Sequence, residues 1–209
     1  MQLRYDEDFI EAATFLCASG RRKGVPALQI ARFQREREKL YAILDPDERN
    51  TAFFKLHLDW FREWGLELPL ADVLKKFPLV REQLGVLAVR KTTGKNDEGA
   101  ELYVNEAKQR TGLLALRLER LTHDAALRDY LRHEFTHLHD MLNPAFGYSP
   151  VLDLPGLNAA QKRLARERYR LLWDITIDGR LVAAGHTPMQ AREQHAAAFA
   201  RGYSFWPEQ

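Results

Sequence analysis

The chain has 209 residues, of which 45% are hydrophobic, with a net charge of +2 and one cysteine. That size and apolar share suit one compact domain or a core with an added helical layer, and the lone Cys17 excludes an internal disulfide and a cysteine-based zinc site. Basic residues alternate with acids, as in Arg35-Glu36-Arg37-Glu38-Lys39 and Arg166-Glu167-Arg168, which is the pattern of solvated helix faces and argues against nucleic-acid binding.

In chain order, residues 6–18 have helical periodicity up to Gly20. Pro26 to Leu44 reads as a longer helix with Leu28, Ile30, Phe33, Leu40, Tyr41 and Leu44 apolar. Asp45-Pro46-Asp47 breaks it and caps a third helix, about 47–64. That helix carries Phe53, Phe54, Trp60, Phe61 and Trp64, a stripe expected in the core, with a partner-binding groove as the alternative. Gly65 and Pro69 end it, and a short helix is expected over Ala71 to Lys76. Residues 1–82 are thus read as a helical N-terminal layer and 83–209 as the part that carries chemistry.

The periodicity then changes. Gly85 to Lys91 and Ala100 to Val104 read as strands, and the polar stretch Thr92 to Gly99 between them predicts a hairpin. Leu113 to Leu118 is a third strand, either a sheet edge or an ordinary core strand. After it come a helix over Ala125 to Leu142, a loop rich in Pro and Gly from Asn143 to Gly156, a long helix from about 157 to 184, and a last helix to about Ala200. The tail with Phe205 and Trp206 is expected to dock. The fold class is α+β, mostly helical, with a small three-stranded sheet packed on the 125–142 helix. No run of about eighteen apolar residues predicts a membrane span. The acidic start Met1 to Asp8 lacks an apolar leader core, so a cytoplasmic location is expected.

The informative stretch lies inside the 125–142 helix: His133-Glu134-Phe135-Thr136-His137, or H-E-x-x-H. Histidines four apart stand one above the other on a helix face, so both imidazoles can reach one zinc ion, and the intervening acid can act on a metal-activated water. They share an angular sector with Tyr130 and Met141 and should point inward. Asp124 is the expected N-cap and Asn143-Pro144 the stop. His139, two residues beyond His137, faces the other side.

Zinc then needs a third protein ligand, with one position left open. The long helix offers Asp174 and Asp178. Taking Leu164, Leu171, Ile175 and Val182 as its apolar stripe, Asp178 falls within about 40° of the stripe's centre and Asp174 about 80° away. An acid amid apolar residues calls for a cation, so Asp178 is favoured as the ligand. Asp174 is favoured as the carboxylate behind a ligand histidine, with the reverse assignment open. Gly179 is expected to allow a close helix approach.

The H-E-x-x-H helix followed by an acid-bearing helix resembles the zincin metallopeptidases, in particular the gluzincin branch. There the second helix carries Glu-x-x-x-Asp, matched here by Asp174-x-x-x-Asp178. The segment Trp173 to Asp178 also resembles a Trp-Asn/Asp-x-Ala-x-Asp pattern of small bacterial metallopeptidases. The first pattern puts Asp174 on the metal, the second Asp178. The resemblance covers residues 83–185 and implies Zn²⁺ as cofactor, Glu134 as general base, an edge strand that pairs with a peptide or protein substrate, and an oxyanion donor. Tyr148 is the first candidate donor; His186, His195 and Tyr203 are others. The function expected is zinc-dependent peptide hydrolysis. The alternative is a non-catalytic, metal-stabilised protein-binding module.

Overall fold

A computed structural model describes residues 1–94, 97–150 and 154–204. Phe205 and Trp206, the expected docking tail, and Asn96 of the expected turn lie outside the described residues. The architecture is α+β: β1 (Gln2–Tyr5), α1 (Glu7–Ala18), α2 (Ala27–Leu40), α3 (Pro46–Glu63), α4 (Leu68–Leu74), α5 (Pro78–Gln83), β2 (Val86–Lys91), β3 (Gly99–Val104), β4 (Arg110–Leu116), α6 (Asp124–Leu142), α7 (Ala159–Ala183) and α8 (Arg192–Gly202).

The sheet has four strands, in the order β1-β2-β4-β3, and not three. The extra strand, β1, is four residues long, too short for its periodicity to stand out in the sequence. It runs parallel to β2, pairing Gln2 with Val86 and Tyr5 with Val89. The expected hairpin between residues 85–91 and 100–104 is also corrected, because β4 lies between those two strands. It is parallel to β2 and antiparallel to β3. β4 carries Leu114, Ala115 and Leu116, all buried, and such an apolar run belongs inside a sheet rather than at its rim. Of the two readings of residues 113–118, the ordinary core strand is the one found. The edge beside the H-E-x-x-H helix is β3.

One apolar core runs from Phe9 and Ile10 of α1 through Trp60 and Phe61 of α3 and Val80 of α5 to Leu87, Leu114 and the buried face of α6. The aromatic stripe of α3 therefore serves packing. His57 on that helix stands 2.6 Å from the Thr14 hydroxyl amid Phe15, Phe33 and Phe53. Burial holds its imidazole down at about 4. Cys17 is fully buried, as expected for a small core residue.

Helix α6 is the central element, contacting α4, α5, β3 and α7. Its first turn departs from expectation. The N-cap is His123, with no side-chain cap bond, and Asp124 instead pairs with Arg22 at 2.8 Å. Helix α7 starts with a reciprocal capping box between Asn158 and Gln161. Among the described residues, no helix is long and apolar enough to cross a membrane.

Candidate metal centre

His133, Glu134 and His137 are all buried on the side of α6 that meets α7. The two imidazoles face each other edge-on with centroids 5.0 Å apart. The α7 residue that reaches both is Asp174. Its Oδ1 is 3.0 Å from His137 Nε2 and 3.6 Å from His133 Nε2. One ligand-type atom from each of His133, His137 and Asp174 lies within 4.8 Å of the others. Donors on a tetrahedral zinc ion, each about 2.05 Å from the metal, are about 3.4 Å apart, so the two observed contacts bracket what zinc needs.

Asp178 sits one turn further along α7, behind His133: its Oδ1 is 2.9 Å from His133 Nδ1. A carboxylate only accepts, so the proton belongs on Nδ1 and the Nε2 lone pair is left for a metal. The same carboxylate accepts from the backbone N–H groups of Met189 and Gln190, both at 2.9 Å, and faces His195 Nε2 at 2.7 Å. Four donors thus fill its acceptor sites.

These contacts reverse the two aspartate positions expected from the helical wheel. The stripe chosen there was the wrong one: Leu164 and Val182 are exposed, and the buried line of α7 is Trp173, Ile177 and Leu181. An acid within an apolar helix face does need positive partners, but for Asp178 they are imidazoles and amide groups. Asp174, 27% exposed, faces the open side. Among the described residues nothing comes within 4 Å of where a Cβ on Gly179 would stand, so the expected tight helix approach is not found there.

The electrostatics follow the contacts. Burial opposes charge on His133, yet the Asp174 and Asp178 carboxylates hold its imidazolium up to about 9. Burial likewise opposes charge on Asp174, but His133 and His137 keep it well below the usual carboxylate range. For Asp178, burial is outweighed by His133, the Met189 and Gln190 amides and His195, which bring it down to about 2.

The next layer fixes the rings. Trp173 packs edge-on against His137 at 4.5 Å and donates its indole N–H to Asp140 at 2.7 Å. Asp140, itself buried, also accepts from Arg180, which clamps α6 to α7. Phe146, Tyr148 and Tyr169 surround the other sides of Trp173. Glu134 accepts the Ala100 N–H at 2.8 Å, which ties it to the first residues of β3. Those residues are anchored in turn by Glu98, which accepts from the Arg117 N–H and the Arg120 guanidinium.

Two clefts meet here. One, of about 670 Å³, is walled by β3, Met141, Tyr148 and Trp173; the other, of about 690 Å³, contains His133, Asp174 and Asp178. Glu98, Glu134, His137 and Arg170 line both. Tyr148 therefore shares a cleft with Glu134, and burial pushes its phenol up. His195 serves Asp178, while Tyr203 stacks on Phe199 of α8. His186 is not among the residues lining either cleft. His139 is 36% exposed, stands with its Nδ1 3.6 Å from Asp140, and is not part of the His133–His137–Asp174 group.

Sequence reasoning missed Asp140, Glu98 and Arg170. Asp140 carried a signal, an acid three residues past His137 on an inward face. Glu98 and Arg170 become meaningful only once β3 lies against α6. No family model, no curated protein and no solved structure matches this chain.

Proposed function

We propose that the protein is a zinc-dependent peptidase in which His133, His137 and Asp174 hold the metal, Asp178 orients His133, and Glu134 is the general base. The observation that carries this reading is the convergence of two Nε2 atoms and one carboxylate oxygen beside a glutamate that lines both clefts. The ligand role expected for Asp178 passes to Asp174, in line with the Glu-x-x-x-Asp order of the gluzincins, with aspartate in place of glutamate. The donor set is borderline-soft nitrogen with one carboxylate oxygen, which suits zinc. When bound there, zinc would act as a Lewis acid on a carbonyl and bring the pKa of water to about 7.

The residues of the chain divide the remaining work. Glu134, steadied by the Ala100 amide, takes a proton from water and hands it to the departing amine. An extended peptide lies along β3, whose outer edge has no strand partner among the described residues. Tyr148, a phenol that stays protonated at neutral pH and that burial raises further, donates to the oxygen that gains charge. The buried thiol of Cys17 suits a reducing compartment, and we place the protein in the cytoplasm.

The test is zinc stoichiometry together with hydrolysis of a quenched-fluorescence peptide library. Wild type should bind one zinc and cleave; Glu134→Gln should keep zinc and lose at least about a hundredfold in rate. Equal rates for the two proteins would sink the peptidase reading. Zinc without hydrolysis in either would leave the metal-stabilised binding module.

A further inference from the structure

Helix α7 carries a second pattern on the face that bears the aspartates. Arg166, Arg170, Asp174 and Asp178 follow at intervals of four, so the line of carboxylates continues toward the N-terminus of α7 as two arginines, each step about 6 Å along the axis. Arg170 lines both clefts and Arg166 the one walled by β3. Neither guanidinium has an ion-pair partner among the described residues.

The acids nearby are already engaged. Glu98 is held by Arg117 and Arg120, Glu101 accepts from the Tyr103 hydroxyl, and Glu134 accepts from Ala100. Among the described residues lining that cleft, Asp97, Glu98, Glu101 and Glu134 stand against Arg90, Lys91, Arg166 and Arg170, and none of those acids lies within ion-pair distance of Arg166 or Arg170. Gly99 makes room for this arrangement. A Cβ there would stand 3.3 Å from Arg170 Nη2 and 3.6 Å from Glu134 Oε2, so the guanidinium lies over the start of the edge strand, close to the proposed base. An arginine pair with free donors one turn apart matches the geometry of a carboxylate.

We propose that Arg166 and Arg170 clamp a carboxylate of the substrate peptide in the cleft beside the metal centre, so that the preferred substrates are peptides with an acidic group next to the scissile bond. Trp173, Tyr148 and Met141 form the opposite, apolar wall and receive the neighbouring side chain. The carboxylate comes either from an Asp or Glu side chain or from the peptide's C-terminus. This inference rests on the peptidase reading for the position of the scissile bond, but its test reads binding.

The probes are fluorescein-labelled hexapeptide pools with one fixed Glu or Gln, each made as free acid and as C-terminal amide. Fluorescence anisotropy is followed on the zinc-loaded 209-residue chain, with Glu134→Gln alongside to keep probes intact. Acid-bearing pools should bind about tenfold more tightly than their neutral counterparts, with a preference that shrinks as salt rises. Arg170→Gln and the double variant with Arg166→Gln should remove the preference, and Arg163→Gln, whose partner is Glu167 outside the clefts, should keep it. Preference for Glu irrespective of amidation identifies a side-chain carboxylate; preference for the free acid irrespective of Glu identifies the C-terminus. Equal binding of all pools, no binding, or a preference that survives the double substitution overturns the proposal. Arginine-dependent binding without hydrolysis would overturn the peptidase reading and leave the clamp standing.

Discussion

Asp178 Oδ1 stands 2.9 Å from His133 Nδ1, on the nitrogen of the ring opposite the one that faces Asp174. One imidazole therefore joins two carboxylates placed a helical turn apart, and their removal should have different consequences. Asp174→Ala should abolish stoichiometric zinc binding and remove the carboxylate's contribution to metal-free stability, which is present at neutral pH, while leaving the Asp178 contacts intact. Asp178→Ala should keep zinc with an affinity about 10- to 100-fold lower. It should also destabilise the protein by about 2–4 kcal/mol, because two buried amides and two imidazoles lose their acceptor. Zinc titration and thermal melts on both variants separate the roles. Loss of zinc in Asp178→Ala alone would restore Asp178 as ligand.

Zinc binding should depend on pH with a defined sign. The folded metal-free protein holds the His133 proton up to about 9, above the ordinary histidine value near 6.5. That interaction stabilises the metal-free fold fully below about 6.5 and is lost as pH rises through about 9. A metal must displace the same proton, so apparent zinc affinity should rise by about tenfold per pH unit and flatten above about 9. Competition titrations against a chelator from pH 6 to 10, corrected for the chelator's own protonation, check this. A flat profile would contradict it.

Asp140 closes the far end of the helix pair. Asp140→Ala leaves the Trp173 indole N–H without its acceptor and should lower stability by about 1–3 kcal/mol. Because Trp173 packs on His137, zinc affinity should fall as well, although Asp140 is not one of the three proposed ligands. Calorimetric melting and zinc titration measure both. Unchanged zinc affinity would show that the Trp173 contact does not position His137.

Gly99 has φ of +150°, a backbone state that side chains resist, at the point where β3 meets Glu134. Gly99→Ala should reduce stability by about 1–2 kcal/mol and push Arg170 from its place over the strand. Hydrogen exchange at the Ala100 amide should accelerate as its bond to Glu134 loosens. A neutral melting temperature with unchanged exchange would refute the argument.

How far the sequence was readable depends on the range of the interactions involved. The existence of α1, α3, α6, α7 and α8 follows from local periodicity, and the start of α3 from its cap, Asp45 accepting the Glu48 N–H, whereas the cap expected for α6 at Asp124 is not the one found. The four-residue spacing of His133 and His137 already determined that both rings share a face. The inward aim of that face followed from its apolar neighbours.

Strand order could not be read, because β1, β2 and β4 are joined by parallel pairings across long connections and no local pattern encodes which strand becomes the edge. Nor could the choice between Asp174 and Asp178. The two lie only about 40° apart on the helix, so the wheel hardly separates them. What separates them is their height along α7 against two rings on another helix, together with the Met189 and Gln190 amides that fold back on Asp178. Those are contacts between elements distant in sequence, and only packing in three dimensions brings them within hydrogen-bond range.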